Sequence, residues 1–246
     1  MTRILTILFL VVFSYTPLIA EENFLLLDGV SSEFICEFGA QTDERISPCS
    51  TFKIPLALMG FDSHVLLEKD SPTMYFQEGY PDFLETWKLP QTPHSWIKCS
   101  CLWFSQVIVE KMGMDRVHNY LSAFDYGNQD MSGGPKRAWI SSSLKISPRE
   151  QAAFLRKLVL GLLPVSGESL SKTKQILFVD EIGDGWKLYG KTGWGTLVDD
   201  KQIGWFVGWV EKNEAFFPFA YVIRDYSIDL GRRIPRTKEL VLEHLD

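Results

Sequence analysis

Strand-like runs stand at both ends of this 246-residue chain, with a long helical stretch between them. Near the start, residues 24–28 and 33–38 are rich in Phe, Leu and Ile and join through Gly29, so they read as two strands. Aromatic, β-branched runs recur at residues 186–191, 203–210 and 216–223, parted by turn residues, and suggest an antiparallel sheet. Between the two sets, the spacing predicts helices over 100–111 and 114–124. A third begins at Pro148, a first-turn position that tolerates proline, and continues through Leu160. Residues 235–245 read as a closing amphipathic helix. The expected fold is α/β, with an antiparallel sheet formed by the two chain ends, flanked by helices, and an all-helical region inserted into it.

Length and an apolar content of 46% suit one domain with an ample core. The net charge of −6 argues against nucleic acid as the main partner. Residues 1–20 differ from the rest: Arg3, an apolar run over 4–13, a less apolar Ser14-Tyr15-Thr16-Pro17, then Ala20 before Glu21-Glu22. That is the pattern of a cleaved export signal, which leaves 21–246 as the working domain in the periplasm or outside the cell. The apolar run is short for a span, so no stable membrane association is expected after cleavage. In an oxidising compartment Cys36 and Cys49 are able to pair, a question the sequence leaves open. Cys99-Ser100-Cys101 reads as buried small residues in a helix. His64, His94, His118 and His244 are isolated, and no metal site is expected. Oligomeric state is not legible.

Chemistry concentrates at Ser50. Read as an apolar helix entered at its N-terminus, residues 50–59 put Ser50 and Lys53 one turn apart on one face. A serine hydroxyl needs a base to become a nucleophile, and lysine serves only as the free amine. Phe52, Ile54, Leu56 and Leu58 supply apolar surroundings that disfavour the ammonium. Helix-terminal N–H groups beside Ser50 suit an oxyanion. The spacing alone is weak, because Ser-x-x-Lys occurs five times, also starting at Ser95, Ser142, Ser169 and Ser171. Only Ser50 opens a long apolar run.

Three further stretches give it context: Ser105-Gln106-Val107, Tyr126-Gly127-Asn128, and Lys191-Thr192-Gly193 followed by Trp194. In this order with Ser50-Thr51-Phe52-Lys53 they resemble the penicillin-recognising serine enzymes, and among them the class D β-lactamases. Flanking segments extend the resemblance over the mature chain, including residues 143–148 and Gly204-Trp205-Phe206-Val207-Gly208-Trp209. It implies hydrolysis of β-lactams through an acyl-enzyme on Ser50. Lys53 is expected to carry a CO2-derived carbamate as general base, with no other cofactor. Trp139 is expected to stabilise the carbamate, Val107 to shield it, and Ser105 to pass a proton to the leaving nitrogen. The N–H groups of Ser50 and Trp194 are expected to form the oxyanion hole. Tyr126, Asn128, Lys191, Thr192 and Gly193 are expected to bind substrate, with Arg232 or, by register, Arg233 holding its carboxylate.

Two other readings share the nucleophile. A β-lactam sensor domain is acylated without turnover, but is normally attached to transmembrane helices. A cell-wall transpeptidase or carboxypeptidase more often shows Ser-x-Asn where this chain has Ser105-Gln106-Val107.

Overall fold

The computed structural model describes residues 20–245, so the leader expected over 1–20 lies, except for Ala20, outside the described residues. Six strands form one antiparallel sheet in the order β2-β1-β6-β5-β4-β3. They are β1 (Glu21–Leu27), β2 (Phe34–Phe38), β3 (Phe178–Ile182), β4 (Trp186–Thr196), β5 (Gln202–Lys212) and β6 (Ala215–Asp225). The N-terminal β1 pairs directly with the late β6, placing Phe24 beside Tyr221 and Leu26 beside Phe219. Both chain ends therefore build one sheet, as the sequence implied. β3 had not been foreseen.

The helices are α1 (Lys53–Asp62), α2 (Pro93–Cys99), α3 (Leu102–Met112), α4 (Met114–Phe124), α5 (Pro148–Val159), α6 (Gly167–Leu177) and α7 (Arg233–Leu245). The sheet is covered on both faces. Trp205, Val207 and Trp209 join the apolar layer of the inserted helices, while Phe206 and Val210 join a second layer with Leu240 and Val241 of α7. Side chains alternate faces along a strand, so burial on both sides explains the unbroken apolar run of β5.

Several expectations need correction. The helix predicted over 100–111 is broken, because Ser100 takes a left-handed conformation that closes α2. Cys99-Ser100-Cys101 is thus the joint between two helices. The last helix begins at Arg233, two residues before Pro235, and proline is tolerated within a first turn. The strand-like run read over 186–191 is longer, since β4 continues through Lys191-Thr192-Gly193 to Thr196. The question left open for Cys36 and Cys49 is a separate matter: both are free thiols, Cys36 packing on the α7 side of the sheet and Cys49 in the layer on the other side.

The β4–β5 pair is tight at its centre. Gly190 faces Gly208, and Tyr189 stacks on Trp209 with ring centroids 4.8 Å apart. A Cβ at Gly208 would overlap the Tyr189 carbonyl, which is backbone and has nowhere to go. Gly208→Ala should therefore destabilise the protein by about 1–3 kcal/mol. A thermal melt should show a Tm several degrees lower, and an unchanged Tm would mean that this contact is looser than the structure indicates.

Candidate active site

A short 3-10 turn, Cys49–Phe52, runs into α1, so Ser50 sits just ahead of the helix. Residues 53–61 of α1 are all buried, Lys53 among them with 1% exposure. The Lys53 amine donates to Ser50 Oγ at 3.3 Å. Burial pulls this lysine down from 10.5 to about 8, and no carboxylate among the described residues pairs with it. Roughly a tenth of it is therefore free amine at pH 7, far more than for an ordinary lysine, beside a hydroxyl that needs a base. The other Ser-x-x-Lys pairs have ordinary duties. Ser95 caps α2 by accepting from Thr92 N at 2.8 Å, and Lys172 pairs with Glu68 and Glu168.

Strand β4 delivers the opposite wall. β3 pairs with it only as far as Tyr189, so from Gly190 onward its outer edge has no strand partner among the described residues. Along such an edge, backbone N–H groups that do not serve the β5 ladder face outward. Gly193 allows the edge to lie on the nucleophile turn, since a Cβ there would stand 3.0 Å from the Pro48 carbonyl and 3.2 Å from Thr51 Cγ2. This glycine therefore serves the strand's approach to Ser50, a packing role that its place beside Lys191 and Thr192 did not reveal. Lys191 is buried and donates to Thr192 O and Oγ1 at 3.1 and 3.2 Å. Burial, with Lys53 and Arg233 nearby, holds it well below the usual lysine range.

The two candidate arginines differ in their surroundings. Arg233 Nη1 donates to the Gly193 carbonyl at 2.7 Å and its Nε to the Leu230 carbonyl at 2.8 Å, whereas Arg232 is exposed. Burial lowers Arg233 to about 10. Lys53, Lys191 and Arg233 are thus three basic groups whose charged forms burial disfavours, with no carboxylate partner among the described residues. Such a pocket is electrostatically complete only with an anion in it.

The remaining candidates divide. Trp139 is buried, stacks on Phe52 at 5.1 Å, and its indole N–H has no protein acceptor among the described residues. Ser105 is buried on α3. Its hydroxyl accepts from Trp96 Nε1 at 2.9 Å and donates to the Cys101 carbonyl at 3.4 Å, so it does not bond Ser50 or Lys53 here. Val107 is half-buried against the helical core. Tyr126 and Asn128 require correction as substrate contacts. Tyr126 is wholly buried, packed between Phe52 and Phe154, and burial pushes its hydroxyl up. Asn128 spends its side chain on Ser143 O, at 2.8 Å, and on the backbone N–H groups of Asp130 and Lys145. Both brace the loop from beneath.

Some contributors were not legible. Ser47 Oγ donates to Trp139 O at 2.8 Å and accepts from Ser141 N at 2.9 Å, tying the tryptophan to the turn before Ser50. Thr51 Oγ1 donates to Pro48 O at 2.7 Å and accepts from Gln151 Nε2 at 2.8 Å, holding that turn closed. These are common residues in loops and carry no signal. A cavity of about 730 Å3 lies behind the turn, lined by Ser47, Ser141, Lys145 and Arg224, but none of Ser50, Lys53 or Lys191 lines it. The chemistry, not this volume, locates the site.

Comparison with known proteins agrees with this geometry. The family described as penicillin binding protein transpeptidase domain matches residues 33–239. β-Lactamase OXA-1 of Escherichia coli is 40% identical over 198 residues, covering 77% of this chain and 71% of that protein. Probable β-lactamase YbxI of Bacillus subtilis (strain 168) is 34% identical over 203 residues, covering 82% and 74%. Among solved structures, the OXA-427 class D β-lactamase superposes with a TM-score of 0.87 at 41% identity, covering 91% of this chain and 98% of that one. With a family model matching most of its length and relatives of this similarity, the chain belongs to the class D β-lactamases.

Proposed function

We propose that Ser50, Lys53, Lys191 and Arg233 carry the hydrolysis of β-lactams, penicillins at least, by this enzyme. The observation that carries the assignment is the 3.3 Å contact of Ser50 with a buried lysine that has no counter-ion. The substrate carboxylate supplies the anion that Lys191 and Thr192 lack, with Arg233 adding its charge behind Gly193. Ser50 Oγ attacks the lactam carbonyl. The N–H groups of Ser50 and Trp194, one at the helix entrance and one on the open edge of β4, receive the developing oxyanion. Ser105 turns from the Cys101 carbonyl to pass a proton to the leaving nitrogen. The glycine Gly193 keeps the two walls close enough for one substrate to touch both.

The residues around Lys53 fit a carbamate. A depressed amine is the form that takes up CO2, the Trp139 N–H is an uncommitted donor, and Lys191 offers a compensating charge. When present, that group supplies a basic oxygen beside the Ser50 hydroxyl. Val107 limits the water that reaches Lys53. Residues 1–20 serve as a removed leader and 21–246 as a periplasmic or secreted domain, a reading supported by the basic, apolar and small-residue pattern of the first twenty residues. No helix among the described residues is long and apolar enough to cross a membrane.

Turnover of nitrocefin separates hydrolysis from mere acylation. The wild-type enzyme should turn over continuously, while Ser50→Ala should lose both turnover and covalent labelling by a fluorescent penicillin. A single stoichiometric burst, or label retained on another serine, would defeat the assignment. For Arg233, a charge-assisted contact is worth about 1.5–3 kcal/mol, so Arg233→Ala should lower kcat/KM about tenfold to a hundredfold. Arg232→Ala should leave it nearly unchanged, and equal losses in both would contradict the choice.

The buried lysine also sets a pH dependence of stability. Below about 8 Lys53 is protonated in both the folded and unfolded chain, and the cost of burying the charge is felt in full. As pH rises through about 8 the folded state releases the proton first. The unfolded chain then binds more protons, and the cost fades up to about 10.4, the ordinary lysine value. In bicarbonate-free buffer Lys53→Met should therefore be inactive yet more stable at neutral pH, by about 3 kcal/mol. The gain in Tm should shrink in alkaline buffer. A variant less stable than wild type at neutral pH would show that the charge is compensated after all.

A further inference from the structure

The cavity behind the nucleophile turn has no part in the proposed reaction, yet one of its walls carries a buried arginine that the protein only half satisfies. Arg224 stands in β6 between two paired strands, opposite Glu21 of β1 and Ile203 of β5. Side chains alternate faces along a strand. Ile223 packs in the layer with α7, so Arg224 points to the other face, where Ser47 and the cavity lie. Its side chain is only 4% exposed. Nη1 donates to Glu44 Oε2 at 2.6 Å, but Nε and Nη2 are buried with no hydrogen-bond partner among the described residues. These two nitrogens share one edge of the planar guanidinium, the edge that offers a carboxylate two parallel N–H bonds. The other carboxylates of the wall are engaged elsewhere. Glu21 takes the Lys201 ammonium at 2.7 Å, and Asp199 accepts from Lys201 N at 3.3 Å. A second orphan belongs to the same cavity: Gln41 Oε1, an acceptor, is buried and unpaired among the described residues. Buried polar atoms are nearly always satisfied, so a donor edge and an acceptor left over in one cavity point to an occupant.

We propose that this cavity is a second ligand site, specific for a small organic carboxylate that also carries an N–H or O–H group. The carboxylate lies along the Nε–Nη2 edge of Arg224 and accepts from both nitrogens, while the N–H or O–H donates to Gln41 Oε1. An inorganic anion such as sulfate meets the arginine but leaves the glutamine acceptor unpaired. A neutral amide does the reverse. The volume of about 730 Å3 falls within the range of about 300–1,000 Å3 common for small-molecule pockets. The site is separate from the wall that holds Lys191 and Arg233, since neither of these lines the cavity. Its occupant lies against Ser47 and Ser141, which tie Trp139 to the turn before Ser50. The assignment is independent of the roles given to Ser50 and Lys53.

The test uses the full enzyme and N-acetylglycine, which joins a carboxylate to an amide N–H. N-acetylglycinamide and sodium sulfate serve as comparisons at matched ionic strength. Titration calorimetry should give a Kd for N-acetylglycine, and at about ten times that concentration the Tm of the wild type should rise by about 3–6 °C. Arg224→Gln, which removes the guanidinium edge, should show no rise. Arg233→Ala, which alters the other anion-seeking wall, should keep it. A crystal of the wild type grown with N-acetylglycine should place the carboxylate on Arg224 and the amide N–H on Gln41, a readout that does not depend on how the variants fold. Absence of binding heat in the wild type, a Tm rise undiminished in Arg224→Gln, or density for water alone beside Arg224 would overturn the site. Equal stabilisation by sulfate or by the neutral amide would overturn the class of ligand.

Discussion

A lysine ammonium buried without a carboxylate is the constraint on which the rest depends. Taking such a charge out of water costs several kcal/mol even after the protein relaxes, and Lys53 is 1% exposed. The chain tolerates it because Lys53 opens a helix that is buried nearly all round. Leu56, Leu58, Met59 and Phe61 are each at most 3% exposed, and each contributes about 1.5–3 kcal/mol on burial. Their sum exceeds the cost of the lysine. The apolar helix is thus both the anchor of the domain and the reason for the depressed amine.

The sheet repeats the arrangement from the other side. Lys191 is held on the open edge of β4, and Arg233 reaches that edge from the last helix through the Gly193 carbonyl. The charges come from α1, β4 and α7, so no local rearrangement separates them without disturbing the fold. In the proposed reading a substrate carboxylate relieves their mutual repulsion, which would give substrate binding and charge balance the same origin. Where stability is given up, it is given up at the site of function.

Much of this was legible in residues. The antiparallel sheet built by both chain ends followed from the runs around Phe24 and Phe219, because strands buried on both faces read as continuous aromatic and β-branched stretches. The pairing of Ser50 with Lys53 followed from one helical turn in an apolar setting. What failed did so where tertiary contact decides. Tyr126 and Asn128 lie in a polar loop that looks exposed in sequence, yet Tyr126 fills the core beside Phe52 and Phe154. The helix over 100–111 was misread because a left-handed Ser100 is unusual for a residue with a side chain. Ser47 and Thr51 act through single hydrogen bonds that no spacing announces. Arg232 and Arg233 look alike in sequence and differ only in three dimensions, where Arg233 reaches the Gly193 carbonyl and Arg232 is exposed.

The central claim is that burial keeps Lys53 available as a free amine, ready for CO2. The direct measurement is ¹³C NMR of the enzyme with labelled bicarbonate over a pH series. A carbamate carbonyl resonance should grow as the pH rises through about 8, the value to which burial brings Lys53. It should be absent in Lys53→Met and weakened in Trp139→Phe, which keeps a ring but loses the N–H donor. Full hydrolytic activity with no such resonance at any pH, and no response to bicarbonate, would contradict the account.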